Sequence, residues 1–295
     1  MTGDVELSAG DARMVVVPAA GGRIRQISVA GVDLLAEASD HDPHSTHWGS
    51  FPMAPWAGRI RNGRFDFLGI SHTLDLNHQD GDGTGGGTLS PPVPATPGTL
   101  PTQDRDRHAI HGTTFAREWT VASADGNRIA MSCELVDPLG VDSLGWSLAG
   151  RADQVITLAP DHVALWMRVA ATDEVFPASI GWHPWFAKPD RMDFDPVAMY
   201  EQDSAGIPTG RLVTPPAGPW DDCFVNHHPI VLHYERATAA TVTVSSPVDH
   251  WVVYDRPDRA TCIEPQTGPP DAPTIRPKVV APGAPLGITM KIGWV

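Results

Sequence analysis

The chain has few cysteines and no long apolar run. Cys133, Cys223 and Cys262 are the three cysteines of the 295 residues, and no two of them form a Cys-x-x-Cys pair. A disulfide framework or a zinc ribbon is therefore not expected, and scattered thiols are typical of a reducing compartment. No apolar run approaches the roughly 20 residues that a bilayer-spanning helix needs, so we expect no membrane insertion.

Positive charge is also scarce. The chain has 21 Lys and Arg residues against 35 Asp and Glu, which gives a net charge of -14. This imbalance disfavours binding to nucleic acid phosphates and to anionic membrane surfaces. Residues 1–6 show no basic region followed by an apolar stretch, so no secretory signal is visible. We therefore expect a cytoplasmic protein, monomeric or homodimeric, that binds neither nucleic acid nor membrane.

Proline and glycine interrupt the sequence throughout, with 29 and 28 residues, and leave room only for few, short helices. The runs between them have strand character, and turn signals such as Asp125-Gly126-Asn127 separate several of them. Strands are predicted at 14–17, 23–29, 119–122, 128–135, 155–158, 163–170, 241–245, 251–255, 261–264 and 287–294. This spacing predicts an all-β fold, an antiparallel sandwich or a large barrel. No shift of composition divides the chain, so we expect a single domain over residues 1–295.

Two segments interrupt this pattern. Residues 79–102 are rich in glycine and proline and predict a long loop, either a bland surface insertion or a lid over a site. Residues 40–47 carry His41, His44 and His47 among polar residues. A polar loop is the simpler interpretation of the second segment, and a metal site is the alternative.

A carboxylate lies between an apolar run and a proline turn in the segment 262–267. Glu264 follows two apolar residues at the predicted end of a strand, and Pro265 is expected to stop the strand because it has no N–H to donate. A rigid element then presents the carboxylate at a loop rim, where catalytic groups collect. A solvated strand-end Glu is the alternative.

Two histidines lie in settings that present an imidazole. His183 is held between Trp182 and Trp185 and is followed by a proline, which makes it a candidate general acid. We expect it to be partly protonated near neutral pH, since its unperturbed pKa is about 6.5. His111 precedes a glycine in a predicted tight turn. A hydrogen-bonded structural role is the alternative for such a histidine.

Arginine, carboxylates and aromatic rings recur in two further segments. Residues 48–65 are predicted to form a loop that carries aromatic rings and Arg59, a mixture suited to sugar rings and hydroxyls. Asp221 and Asp222 lie beside aromatic residues and offer acceptors for hydroxyl groups. No Gly-x-Ser-x-Gly elbow, P-loop or dinucleotide fingerprint is present, so the pattern favours cofactor-free acid–base chemistry on a polar, ring-shaped substrate.

The order of these segments resembles the aldose 1-epimerase (galactose mutarotase) family. The resemblance rests on Phe51-Pro-x-x-Pro-Trp-x-x-Arg59-Ile, His111-Gly112, Gly181-x-His183-Pro-x-Phe186, Asp221-x-x-Phe224 and Cys262-x-Glu264-Pro-Gln-Thr. It covers roughly residues 14 to 294. It implies a large antiparallel β-sandwich, often called a supersandwich, that interconverts sugar anomers without a metal or organic cofactor.

The resemblance also implies a role for each matched residue. Glu264 would take the proton of the anomeric hydroxyl, and His183 would protonate the ring oxygen. His111 would polarise or position the ring. Arg59 and Asp221 would hold sugar hydroxyls.

Two positions depart from the family pattern. Gly58 precedes Arg59 where the family has Asn, so one amide contact to the sugar is expected to be missing. Trp185, which we assign to the sugar-binding surface, stands where Tyr is common. Both changes bear on which aldose is preferred, and the sequence does not name that sugar.

Three other functions remain open at this stage. A hexose-6-phosphate epimerase on the same fold would need cations for the phosphate, for which Arg61, Arg64 and Arg117 are candidates. A carbohydrate sensor would bind sugar without catalysis, although it would not need an acid–base pair. A metalloenzyme using some of the 13 histidines is disfavoured because the histidines are scattered.

Overall fold

The structure is a computed structural model, and it describes residues 3–37, 46–79, 107–137, 143–235 and 241–295. The predicted loop at 79–102 lies outside the described residues apart from Gln79. His41 and His44 also lie outside them, whereas His47 is described.

The described residues form 26 strands and one short α-helix. In chain order the strands are β1 Val5–Ala9, β2 Ala12–Val17, β3 Arg23–Val29, β4 Val32–Asp33, β5 Ser50–Met53, β6 Arg59–Ile60, β7 Arg64–Phe67, β8 Ile70–Thr73, β9 His78–Gln79, β10 Arg107–Ile110, β11 Thr120–Asp125, β12 Arg128–Glu134, β13 Gly150–Ala159, β14 His162–Ala171, β15 Phe176–Ala178, β16 Gly181–Ala187, β17 Arg191–Asp193, β18 Ala198–Gln202, β19 Pro208–Val213, β20 Asp221–Val225, β21 Ile230–His233, β22 Thr241–Ser245, β23 His250–Tyr254, β24 Ala260–Gln266, β25 Lys278–Val280 and β26 Leu286–Trp294. The helices are α1 Ala272–Ile275 and two 3₁₀ turns, Pro18–Ala20 and Arg61–Gly63. No helix among these residues has the length and apolar character required to span a membrane.

Two large sheets dominate the fold, and the pairings within both are antiparallel. The first has eleven strands in the order β1-β2-β3-β5-β16-β24-β23-β20-β18-β19, with β4 paired to β3. The second has eight strands in the order β11-β12-β13-β14-β26-β22-β21-β17. Three small sheets, β6-β10-β9, β15-β25 and β7-β8, complete the set. The predicted all-β antiparallel architecture with few short helices is therefore confirmed.

Alternation of apolar and polar residues explains the second sheet. In β13 the side chains of Ala152, Gln154, Ile156 and Leu158 are buried, while the residues that alternate with them are partly exposed. This period of two is what a strand with one buried face requires. Residues 160–161 form the turn that joins β13 to β14. Each predicted strand overlaps an observed strand, and most of the predicted ends lie within a few residues of the observed ones.

One apolar core joins the two large sheets. Ile156 and Leu165 of the second sheet belong to the same buried cluster as Val253 and Ile263 of the first. Sheets packed face to face bury one side of each sheet in this way. The opposite face of the first sheet is not part of this shared core.

Strands β5, β16 and β24 are buried on both faces, unlike the strands near the edges. Their outward side forms a second buried cluster that includes Phe51, Met53, Trp185 and Cys262. The prediction of a loop over residues 48–65 is wrong here, because 50–53 and 59–60 are strands. A strand that is buried on both faces shows no alternation of apolar and polar residues. The prolines in these segments also resemble the sequence signal of a loop.

The prediction that β24 ends at Pro265 is also wrong. The strand continues to Gln266, and Pro265 is paired with Trp251 of β23. Glu264 therefore lies within the sheet and not at its rim. A proline inside a sheet removes one ladder hydrogen bond, and here that loss falls between β24 and β16.

Candidate active site

The row of side chains around Glu264 crosses the centre of the first sheet on its outward face. His183 is paired with Phe51 of β5, and Glu264 is paired with Val252 of β23. The pairs Gly181–Gln266 and Trp185–Cys262 have one continuous register and bracket His183 and Glu264 on adjacent strands. Residues that face each other across antiparallel strands project from the same side, so His183 and Glu264 meet.

Prolines on both strands shape this meeting point. Pro184 follows His183, and Pro265 follows Glu264; neither has an N–H for the ladder between β16 and β24. The side chains bridge the gap instead, with His183 Nε2 lying 3.2 Å from Glu264 Oε1. Both side chains are less than a tenth exposed. The acid and base candidates of the sequence thus form one buried pair.

Aromatic rings fix the plane of the His183 imidazole. It stacks on Phe51 with ring centroids 4.8 Å apart and on Trp185 with centroids 5.4 Å apart. His111 approaches its edge at right angles, with centroids 5.0 Å apart. Within the described residues, His183 Nδ1 has no hydrogen-bond partner. The rings on either side of the imidazole restrict its rotation and keep Nε2 directed at the carboxylate of Glu264.

Burial sets the charge states of the pair. Burial is the largest cause that lowers the pKa of His183 to about 3, and the charge of His47 adds to it. Burial also raises the pKa of Glu264 well above its usual value, with the charge of Asp221 as the next cause. Gln266 opposes this by donating from Nε2 to Glu264 Oε2 at 3.2 Å. The expectation of a partly protonated His183 is wrong here, because burial disfavours the charged imidazole.

An ion pair lies on the same side of the sheet. Arg59 Nη2 of β6 is 3.8 Å from Asp221 Oδ2 of β20, and both side chains are partly exposed. The carboxylate of Asp222 instead accepts a hydrogen bond from the backbone N–H of Asp221. Arg59 is held in place through its carbonyl, which accepts from the N–H of Asp271 at 2.7 Å. Asp221, and not Asp222, therefore contacts the arginine.

A tight turn after β10 presents His111. His111 and Gly112 both have positive φ, 63° and 79°, and the N–H of His111 donates to Gly58 O at 3.1 Å. A Cβ on Gly112 would lie 2.0 Å from Ala54 O, so only glycine fits. The predicted tight turn therefore follows from the His-Gly pair, and it brings the buried imidazole of His111 against the edge of His183.

The glycine at position 58 has a local cause. Its φ is +69°, and an added Cβ would lie 2.9 Å from Pro270 Cγ. An asparagine at this position would be strained unless Pro270 moved. The departure from the family pattern is thus matched to the packing of this chain.

Trp185 forms a wall of the site with its indole already engaged. Nε1 donates to Thr46 O at 2.6 Å, and the guanidinium of Arg259 lies 5.2 Å from the ring centroid. Tyr254 meets the indole edge-on with centroids 5.9 Å apart. Trp185 is therefore a buried wall of the site that has no free donor for a ligand.

Sequence reasoning missed three residues that support this site. Phe51 stacks on His183, Tyr254 packs on Trp185, and the buried Arg23 lies over the ring of Phe51 at 4.7 Å. Phe51 carried a signal, since it begins the proline-rich motif. Arg23 and Tyr254 lie in ordinary strand patterns, and only the strand pairing brings them here.

One set of metal-binding side chains coincides with the pair. His183, Cys262 and Glu264 each offer a ligand atom, and these atoms lie within 4.8 Å of one another. All three residues are buried.

Comparison with known proteins agrees with this fold. The sequence profile of the aldose 1-epimerase family matches residues 3–88 and 95–293. No match was found among curated proteins. The chain therefore has a galactose mutarotase-like architecture and belongs to the aldose 1-epimerase family.

Solved structures with the same fold cover nearly the whole chain. A putative aldose 1-epimerase of Escherichia coli K12 is 17% identical with a TM-score of 0.75, covering 99% of each chain. A galactose mutarotase-like protein of Clostridium acetobutylicum is 15% identical with a TM-score of 0.80, covering 99% of this chain and 95% of its own. A GalM/aldose epimerase homologue of C. elegans is 13% identical with a TM-score of 0.78, covering 100% and 99%. At these identities the likeness concerns the fold.

Proposed function

We propose that this protein interconverts the α and β anomers of an aldose by acid–base ring opening and closing. The observation that carries the proposal is the buried contact of 3.2 Å between His183 Nε2 and Glu264 Oε1. Membership of the aldose 1-epimerase family supports a sugar epimerase in general terms. The reaction moves two protons, and His183 and Glu264 provide one proton-transfer group for each.

The reaction needs a base and an acid at the two ends of one bond system. Glu264 accepts the proton of the anomeric hydroxyl while His183 donates a proton to the ring oxygen. The C1–ring oxygen bond breaks, and a carbonyl forms at C1. Rotation about the C1–C2 bond by about half a turn exposes the other face, and reversal of both transfers closes the ring. Since these side chains carry both protons, the proposed reaction uses no cofactor.

The proton distribution of the pair supports this assignment. Burial favours neutral His183 and protonated Glu264, because it lowers the pKa of the first and raises that of the second. Ring opening ends in this same state, because Glu264 has accepted the proton of the anomeric hydroxyl and His183 has given its own proton to the ring oxygen. The reactive charged pair is its proton tautomer, one transfer away across 3.2 Å. No proton has to enter from solvent during turnover.

The surrounding residues are assigned to binding. Arg59 donates hydrogen bonds to sugar hydroxyls, and Asp221 accepts hydrogen bonds from them. Both side chains are partly exposed and lie on the same side of the sheet as His183 and Glu264. Trp185 forms the aromatic wall behind His183 and is assigned to the C–H side of the sugar. His111, perpendicular to His183, positions the ring oxygen.

A phosphorylated substrate is less favoured by the contacts of the candidate cations. Arg61 is ion-paired with Asp203 at 2.5 Å, and Arg117 donates to the carbonyl of Glu134 at 2.7 Å. Arg64 is exposed on β7. A neutral aldose is therefore the substrate class that we propose.

The test is the rate at which freshly dissolved α-D-glucose and α-D-galactose reach anomeric equilibrium, followed by polarimetry or proton NMR. The wild-type protein should accelerate the approach to an unchanged equilibrium with at least one sugar. Glu264→Gln and His183→Asn should each lower the rate by about 10²-fold or more, the usual worth of a positioned proton-transfer group.

Matched controls separate chemistry from folding. Glu201→Gln makes the same change on a partly exposed carboxylate of β18, and His233→Asn does so on the second sheet; both should retain full activity. An active Glu264→Gln protein would overturn the mechanism. Tight sugar binding without acceleration of any aldose would instead identify a carbohydrate sensor.

A further inference from the structure

Cys262 has no role in the proposed reaction, yet it lies beside the reacting groups. It precedes Glu264 by two residues on β24, so both side chains project from the same face. It is fully buried and paired with Trp185 of β16. The thiol of Cys262 therefore lies beside the imidazole of His183 and the carboxylate of Glu264.

The three ligand atoms are close to the spacing of a zinc site. They lie within 4.8 Å of one another, and the imidazole nitrogen and the carboxylate oxygen are 3.2 Å apart. Tetrahedral bonds of about 2.0–2.3 Å place neighbouring ligand atoms roughly 3.3–3.6 Å apart. The ligand atoms therefore need to approach one another by about 1 Å to bind one ion.

We propose that His183, Cys262 and Glu264 bind Zn²⁺, and that the bound ion inhibits the enzyme by occupying its acid–base pair. The inhibitory part rests on the proposed function, whereas the binding part does not. Within the described residues this is the one group of three such side chains with this spacing.

The donor set selects the class of cation. A thiolate and an imidazole favour borderline-soft ions such as Zn²⁺ over Mg²⁺ or Ca²⁺, which prefer oxygen ligands. Two negative ligands and one neutral ligand would balance the charge of a divalent ion. A buried site carries such a neutral complex at less cost than an isolated charge.

Binding exchanges protons for the ion and involves no redox step. Zn²⁺ displaces the proton of the thiol and the proton held by the His183–Glu264 pair, and both pass to solvent. The carboxylate and the imidazole nitrogen are then bonded to the metal. Neither can accept from or donate to a sugar, so ring opening stops.

The binding experiment uses the full-length protein with Zn²⁺ or Co²⁺ as probe. We expect one equivalent of Zn²⁺ to remain bound after gel filtration. Co²⁺ should give the near-ultraviolet thiolate charge-transfer band and intense visible bands of a tetrahedral site. Cys262→Ala and Cys262→Ser should lose the charge-transfer band, whereas Cys133→Ala, on the second sheet, should keep it.

The inhibition experiment follows mutarotation against free Zn²⁺. Wild type and Cys133→Ala should be inhibited alike, and inhibition should be reversed by a chelator. The two Cys262 variants should keep their activity without metal and need at least about 10-fold more Zn²⁺, since even groups outside the ligand shell change affinity by that factor. Circular dichroism checks that each variant is folded.

The outcomes separate the two proposals. Absence of stoichiometric binding, or a charge-transfer band that survives in both Cys262 variants, would overturn the metal site. Equal zinc sensitivity of wild type and the Cys262 variants would do the same. If wild type binds one zinc ion through Cys262 but accelerates no aldose, the metal site stands and the proposed function fails.

Discussion

Asp221 and Arg59 act in opposite directions on the pKa of Glu264. Burial is the largest cause that raises this pKa; the charge of Asp221 raises it further, and the charge of Arg59 lowers it. The side chains of Asp221 and Arg59 lie 3.8 Å apart, and both charges act on the carboxylate of Glu264. The ion pair that is assigned to sugar binding therefore also sets the proton affinity of the base.

Neutralising either member should move the alkaline limb of the pH profile of kcat/KM, which reports the free enzyme. Asp221→Asn should shift the limb to lower pH, because one nearby negative charge is removed. Arg59→Met should shift it to higher pH. KM should rise in both variants. The control Asp249→Asn removes an exposed carboxylate just before β23. A shift of equal sign in both test variants would contradict this electrostatic role.

The acid limb of the same profile should lie far below the unperturbed pKa of histidine. Burial lowers the pKa of His183 to about 3, so a second proton enters the His183–Glu264 pair only in strong acid. The limb belongs to the coupled pair and not to one residue. Activity at pH 5 should thus remain near its value at pH 7, after correction for spontaneous mutarotation. A limb centred near pH 6.5 would show that the imidazole is hydrated in the working enzyme.

Local pattern was enough to predict much of the fold and the identity of the pair. Alternation in β13 and the turn at Asp125-Gly126-Asn127 predict strands because one face of the second sheet is exposed. His183 and Glu264 are conspicuous because prolines follow both. Strand β5 was missed because residues buried on both faces do not alternate, and Pro52 imitates a loop signal.

Contacts across strands were beyond the reach of local pattern. The distance between His183 and Glu264 depends on the register of β16 on β24, which no short segment encodes. Their charge states depend on burial, and burial depends on Phe51 and Trp185 closing over the imidazole. The sequence therefore predicts which groups take part, and the sheet determines how each is charged.

Gly112 is predicted to be essential for the turn that presents His111. Gly112→Ala would place a Cβ 2.0 Å from Ala54 O at a φ of +79°. Strain and steric clash should together lower the free energy of unfolding by at least about 2 kcal/mol. Urea denaturation measures this loss, and mutarotation should fall as His111 moves. Gly126→Ala is the matched control, since a Cβ there meets nothing within 4 Å; equal effects of the two substitutions would contradict the prediction.

His250 should make the protein acid-labile. Burial, the largest cause, lowers the pKa of its imidazole to about 4, and its Nε2 lies 3.1 Å from the hydroxyl of Tyr200. Between pH 6.5 and about 4 the unfolded chain binds a proton that the folded chain does not. The free energy of unfolding should thus fall with pH in this window, by up to about 1.4 kcal/mol per pH unit from this residue.

Replacement of His250 by glutamine should remove that contribution to the slope, since an amide can accept from Tyr200 but does not titrate. Urea denaturation at pH 7, 6 and 5 measures the slope. The variant should lose stability at pH 7 yet decline less steeply toward pH 5, and the remaining slope should include that of His183. His228→Gln, at an exposed position, is the control and should leave the slope unchanged. Equal slopes for wild type and His250→Gln would show that folding does not lower the pKa of this imidazole.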